Sequence, residues 1–232
     1  MSYQPDQLIV ATDATQLIED VANNIVSYAQ SCVDKHQQFN IALAGGSTPA
    51  SLYQALTNKP MPWHACHFYF GDERMVAHDH LDSNYAMARR TLFDHAPIAA
   101  DNIHPIPTDC DDPRQCAAQY AQQLDITQVM DLVLLGIGTD GHTASLFPDT
   151  DILDKTDSNA AACYVEKLGA WRISMTYPFI NKSKQVIILI QGKGKREIVD
   201  AILNQEHTSQ YPVTKVRPAG ELIWHLDEAA IK

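Results

Sequence analysis

The chain has 232 residues, 45% hydrophobic and 19% charged, and its 17 Lys and Arg against 28 Asp and Glu give a formal net charge of −11. That length suits one sizeable α/β domain with a full core, or two small ones, and the negative balance argues against nucleic acid, whose phosphates are held by clustered Lys and Arg. The start, MSYQPDQLIV, lacks the basic segment and apolar core of a signal peptide, and no apolar run approaches the ~18 residues of a membrane span, so a cytoplasmic protein without a membrane partner is expected.

A small anionic ligand remains allowed, because a few local donors hold one phosphate even on an acidic protein. The five cysteines (Cys32, Cys66, Cys110, Cys116, Cys163) are odd in number and scattered, without a C-x-x-C. They read as reduced, mostly packed thiols.

Residues 14–34 carry Leu17, Ile18, Val21, Ile25, Val26 and Ala29 at helical spacing. FNIALAGG (39–46) is a short buried strand stopped by two glycines. TPASLYQALTN (48–58) is a helix opened by Thr48, with Pro49 in its first turn. CHFYFGDER (66–74) is a strand running into a polar loop, and 76–84 reads as loop. Residues 82–95 are helical, NIHPIP (102–107) a short strand, and 112–125 helical again. VMDLVLLGIG (129–138) is the most apolar strand, followed by a polar loop over 149–161. WRISMTY (171–177) and QVIILIQG (185–192) are strands, KGKREIVDAILNQ (193–205) a helix and ELIWHL (221–226) a last strand.

Strands alternating with helices imply parallel pairing and right-handed crossovers, and continuous apolar strands imply a sheet covered on both faces. The expected fold is a single domain over 1–232, an open, doubly wound, mostly parallel sheet with helices on both faces. Ligands of such sheets sit beyond the carboxyl ends of the strands. The loops 45–48, 71–74, 136–142 and 192–195 lie at such ends and should converge.

Each loop has chemistry to offer. GGSTP (45–49) combines glycine backbone amides, two hydroxyls and a helix N-terminus, which together make a phosphate cradle. It lacks the lysine of a P-loop and the third glycine of the dinucleotide fingerprint, so no nucleotide cofactor is expected. GDER (71–74) puts two carboxylates and Arg74 just past a strand. GIGTDGH (136–142) is sharper: Asp140 is spaced to orient the ring of His142, and a positioned histidine can take a proton from water and return it. GKGK (192–195) puts Lys193 and Lys195 at a helix start, where the dipole disfavours a cation unless an anion accompanies it. Arg172, entering a strand, is a second anion candidate. His64, His67, His78 and His80 match no zinc spacing with a third ligand, so no metal is expected. There is no G-x-S-x-G elbow, so Ser47 is not expected to be a nucleophile.

These residues carry a resemblance. ALAGGSTPASLYQAL (42–56), FYFGDERMV (68–76), SNYAMARRTL (83–92), DLVLLGIGTDGHTASLFP (131–148), RISMTYPFIN (172–181), VIILIQGKGKREIV (186–199) and PVTKVRPAGELIWHLDEAA (212–230) resemble, in order, the 6-phosphogluconolactonase family, within the wider group that includes glucosamine-6-phosphate deaminases. The resemblance implies an open doubly wound Rossmann-like fold that binds no dinucleotide. It further implies hydrolysis of a small phosphorylated sugar lactone without metal or cofactor. It places His142 as general base and Asp140 as the group that fixes its ring or charge. Gly45, Gly46, Ser47 and Thr48 would lie beside the substrate phosphate, Arg172 and Lys195 would pair with it, and Arg74 would face the sugar-acid end. Asp72 and Asn84 would line the pocket.

Two alternatives stand beside this. Deaminases of the group resemble G-H-I-A-F-N-E-P after the shared Asp-Gly and D-E-Y in place of D-E-R; here Phe147 and Arg74 occupy those places. A non-catalytic sugar-phosphate sensor would keep Arg172 and Lys195 but lose the base, and His142 is present. Oligomeric state is not legible, and a monomer is the default expectation.

Overall fold

The structure, a computed structural model, describes residues 4–204 and 208–232. In chain order its elements are β1 (Gln7–Ala11), α1 (Ala14–His36), β2 (Phe39–Leu43), α2 (Ser47–Leu56), β3 (Cys66–Phe70), β4 (Asp72–Arg74), α3 (Asn84–Thr91), α4 (Pro113–Thr127), β5 (Leu132–Leu135), β6 (Ala160–Val165), β7 (Ala170–Met175), α5 (Tyr177–Ile180), β8 (Gln185–Ile190), α6 (Arg196–Asn204) and β9 (Glu221–Asp227), with short 3-10 turns between them. Among the described residues no helix is long and apolar enough to cross a membrane.

Six strands form one sheet in the order β1-β9-β8-β5-β2-β3, and every neighbouring pair is parallel. The central strands β2, β5 and β8 are buried along their whole length, as a sheet covered on both faces requires. From β2 the chain moves one way to β3, then crosses back over β2 to β5 and on to β8 and β9. Right-handed crossovers put the connections that run in opposite directions on opposite faces. The winding therefore reverses between β2 and β5, and the loops after these two strands flank the crevice that results.

Two phenols fix the strand ends on this edge. The hydroxyl of Tyr53, fully buried on α2, accepts the Ala44 N–H and donates to the Ala44 carbonyl, both at 2.8 Å. Tyr120 on α4 does the same to Phe70, accepting at 3.0 Å and donating at 2.7 Å. Each ring fills the core while its one polar atom satisfies the last backbone groups of a strand, so the loops that follow leave from set positions.

The main departure from the sequence reading is a second, three-stranded antiparallel sheet, β4-β7-β6. The strand in 66–74 does not run into a loop: after Gly71 the chain leaves the parallel sheet, and Asp72–Arg74 pairs with β7 as a strand of its own. WRISMTY therefore lies outside the main sheet, and β6 takes the end of the segment read as loop over 149–161. Alternation of strand and helix does not reveal such a pairing, because Asp72–Arg74 is short and polar. Residues 102–107 form no strand; Ile103 makes one isolated bridge to Phe68, and Pro105 and Pro107 lack the N–H groups a ladder needs. The α2 helix begins at Ser47 with Gly46 as its cap, rather than at Thr48. Cys110 and Cys116 are disulfide-bonded, which corrects the expectation of five reduced thiols: the first turn of α4 folds back on residue 110, with the Cα atoms 5.7 Å apart. Cys32, Cys66 and Cys163 are free and buried.

Candidate active site

All four loops meet at one cleft of about 490 Å³ on the carboxyl edge of the sheet. Its lining includes Gly45 and Gly46 after β2, Asp72 and Arg74 on β4, Asn84 at the start of α3, and Gly136, Gly138 and His142 after β5. Arg172 on β7 and Lys195 before α6 line it as well. Of the expected residues, Ser47, Thr48 and Asp140 are not among its lining. Ser47 and Thr48 occupy the first turn of α2, where backbone N–H groups have no intrahelical acceptor. Asp140 stands directly behind His142.

The loop after β5 closes on itself. The Gly138 N–H donates to the His142 carbonyl at 2.8 Å, and the Gly141 N–H to the Gly138 carbonyl at 3.0 Å. This brings His142 Nδ1 within 2.5 Å of Asp140 Oδ1. Residue 138 has to be glycine, because a Cβ there would overlap both His142 Nδ1 and Asp140 Oδ1. The imidazole lies on the Phe147 ring, centroids 4.0 Å apart and planes 25° from parallel. Lys167 pairs with Asp140 Oδ2 and sits over the same Phe147 ring at 4.7 Å. Partial burial opposes ionisation of Asp140, but hydrogen bonds from Lys167 and His142 hold its carboxyl well below the usual carboxylate range. The histidine thus has a charged carboxylate behind it, an aromatic face beside it and the cleft in front.

The cleft is also lined by cations. Arg74 and Arg172 are cross-strand partners in the β4–β7 ladder. Burial and then the charge of Arg74 push the Arg172 guanidinium below its ordinary value, with Asp72 opposing. Two adjacent guanidiniums in a half-buried setting favour an anion between them. Arg74 is anchored by the Asp82 carbonyl, and Lys195 Nζ donates to the Ile137 carbonyl at 2.6 Å, bringing the α6 entry to the β5 loop.

The floor is a network of short polar groups. Asp72 Oδ2 accepts from the Ser145 hydroxyl at 2.6 Å, and Asn84 Nδ2 donates to Asp72 Oδ1 and to its carbonyl. Asn84 packs so close to Gly45 that a Cβ at 45 would overlap its amide. Glu73, between the two site residues of its strand, faces the other way. Its buried carboxylate accepts from the N–H groups of Arg74, Asn84 and Tyr85 and from the Ser83 hydroxyl, so it ties β4 to the start of α3. Burial raises its pKa and those four donors oppose the rise.

Sequence reasoning missed Lys167, which reaches Asp140 from the turn between β6 and β7. Lys167 lies in no strand–loop–helix motif, and its turn belongs to the antiparallel sheet the sequence did not reveal. Thr143, Ala144 and Ser145 lie inside the GxGxDGHTASLFP motif yet were given no role. His67, which invited a metal reading, instead stacks on His104, while His78 bonds the Ile106 carbonyl.

The family described as glucosamine-6-phosphate isomerases/6-phosphogluconolactonase matches residues 12–224. The chain belongs to this family. Among its members, a 6-phosphogluconolactonase of Nostoc sp. is 40% identical over 230 residues, covering 95% of each chain. One of Synechocystis sp. is 40% identical over 239 residues, covering 99% of this chain and 98% of its own. The solved structure of a 6-phosphogluconolactonase from Trypanosoma cruzi superposes with a TM-score of 0.88 at 28% identity, covering 99% and 97% of the two chains. The overall fold of this family member is therefore shared with that solved structure.

Proposed function

We propose that this chain hydrolyses 6-phospho-D-glucono-1,5-lactone to 6-phospho-D-gluconate, a step of the oxidative branch of the pentose phosphate pathway, with water activated by His142. The observation that carries the reading is the His142–Asp140 pair facing a cleft that Arg74, Arg172 and Lys195 also line. Nδ1–H donates to Asp140, which leaves Nε2 to accept a proton from water. A lactone carbonyl is electrophilic enough that no covalent nucleophile is required. As the water oxygen bonds to C1, charge moves onto the former carbonyl oxygen, where Arg74 or glycine-loop N–H groups stabilise it. Asp140, kept ionised by Lys167, stabilises the imidazolium. The ring then returns its proton to the departing ring oxygen as the C1–O bond breaks.

The phosphate lies away from the reacting bond, against Arg172, Lys195 and the amides of Gly45, Gly46, Ser47 and Thr48 at the start of α2. Its binding energy positions C1 and so raises the rate as well as the affinity. Asp72 and Asn84 face the sugar hydroxyls. Phe147, stacked on His142, occupies the place where the deaminase pattern has a glutamate, which favours the lactonase.

The test follows 6-phosphogluconolactone loss with and without the protein, and ammonia release from glucosamine 6-phosphate in parallel. Accelerated lactone loss without ammonia is expected. Ammonia without lactone acceleration would replace this reading by a deaminase, and lactone binding without turnover would replace it by a sensor.

A further inference from the structure

The amino edge of the same sheet carries a cluster of ligating atoms that the cleft does not use. Cys32 and His36 lie four residues apart on α1 and so share one face of the helix. Asp131, immediately before β5, meets them there, and Cys32 Sγ, a His36 ring nitrogen and an Asp131 carboxylate oxygen lie within 4.8 Å of one another. Asp131 and Cys32 are buried, whereas the His36 side chain is about one-third exposed and opens the cluster to solvent.

The carboxylate is held for the task. Its Oδ2 accepts the Asn40 N–H at 2.8 Å, which turns Oδ1 toward His36 Nε2 at 3.0 Å. The Lys184 ammonium lies 2.8 Å from Oδ1 and 3.5 Å from His36 Nε2. A cation therefore already sits beside the imidazole–carboxylate pair, on a side chain exposed enough to swing away. Burial and then the Asp131 carboxylate push the Cys32 thiol up, with Tyr28 and Lys184 opposing, so an incoming ion has to displace its proton.

We infer that Cys32, His36 and Asp131 form a binding site for a thiophilic divalent cation of the zinc class, with Lys184 as its competitor. Thiolate, imidazole and carboxylate are the donors zinc takes, and bonds of about 2.0–2.3 Å in a tetrahedron set the donors roughly 3.3–3.8 Å apart, within reach of the spacing here. One thiolate and one carboxylate neutralise the ion. Binding releases the Cys32 proton, displaces the Lys184 ammonium to solvent, and leaves a fourth position for water on the His36 side. The ion would tie α1 to the start of β5, at the opposite end of that strand from His142. Its role is structural, and lactone turnover does not depend on it.

The test is titration of the full-length protein, stripped with EDTA, with Co²⁺ and then Zn²⁺. One equivalent of Co²⁺ giving a tetrahedral d–d spectrum with a thiolate charge-transfer band, lost on adding Zn²⁺, is expected. Cys32→Ser should abolish the charge-transfer band and weaken binding by roughly tenfold or more, while Lys184→Met should tighten it. Zn²⁺ should raise the melting temperature of the unsubstituted protein and not of Cys32→Ser. No tetrahedral spectrum, a spectrum unchanged in Cys32→Ser, or weaker binding in Lys184→Met would each overturn the inference.

Discussion

Two segments beside the cleft handle their carboxylates in opposite ways. In 72–85, Glu73 turns inward and accepts hydrogen bonds from donors of the same segment: three backbone N–H groups and a hydroxyl. In 136–147, Asp140 takes a lysine on one oxygen and a histidine on the other, and that histidine keeps one ring nitrogen for the cleft. The first carboxylate is saturated and holds a strand to a helix. The second is coupled to a group that faces outward. Both follow closely on the end of a parallel strand, Glu73 after β3 and Asp140 after β5, so residue type does not tell them apart. What separates them is where the remaining hydrogen-bonding capacity points.

Breaking the first arrangement should cost stability and little else. Glu73→Gln replaces two of four acceptor sites by an N–H group that faces other N–H donors in a buried place, and should cost about 3 kcal/mol. Urea unfolding measures this, with the kcat of the folded fraction expected near that of the parent. Breaking the second should do the reverse. Gly138→Ala puts a methyl group where His142 Nδ1 and Asp140 Oδ1 meet, and a displacement of about 1 Å at the base lowers kcat by roughly 10²-fold. Steady-state kinetics beside a melting curve would show loss of rate with the fold retained.

The comparison sharpens at the cations of the cleft. Arg172→Ala should weaken the phosphorylated lactone by roughly tenfold to thirtyfold, as a charge-assisted contact of about 1.5–2 kcal/mol implies. An unphosphorylated gluconolactone should change far less. Equal losses for the two would move Arg172 away from the phosphate.

The smallest effect belongs to a group that serves neither region. His225 on β9 is buried, and neither ring nitrogen has a hydrogen-bond partner among the described residues. Burial holds its pKa below 6.5, with Asp20 opposing. The unfolded chain therefore binds the proton first as pH falls, so stability drops from 6.5 downward until the folded value is passed, and does not change above 6.5 on this account. Urea midpoints across that window should fall for the parent and fall less for His225→Leu.

Much of the site was legible because its signals are local. Glycines that end apolar strands mark the loops, and alternation of strand and helix brings those loops to one edge, so Gly45, Arg74, His142 and Lys195 could be placed together from the sequence, whereas Arg172, on β7 outside the main sheet, was placed there by the resemblance alone. Lys167 was out of reach, since it depends on β6 and β7 pairing antiparallel outside the main sheet, and β6 sits at the end of a polar stretch. Glu73 was visible as a charge but not as an anchor, because its role rests on three backbone groups up to twelve residues away. The Cys32, His36 and Asp131 cluster was equally hidden: its first two members have ligand spacing on one helix, but the third lies 95 residues after His36.

The central claim is that His142 activates the water. Its most direct test is the rate of 6-phosphogluconolactone loss, with EDTA present, for the parent and His142→Ala, beside 6-phosphogluconate binding to each. A kcat lowered by roughly 10²–10⁴-fold with product binding retained is predicted. Turnover unchanged in His142→Ala would contradict it and send the search for the base elsewhere in the cleft.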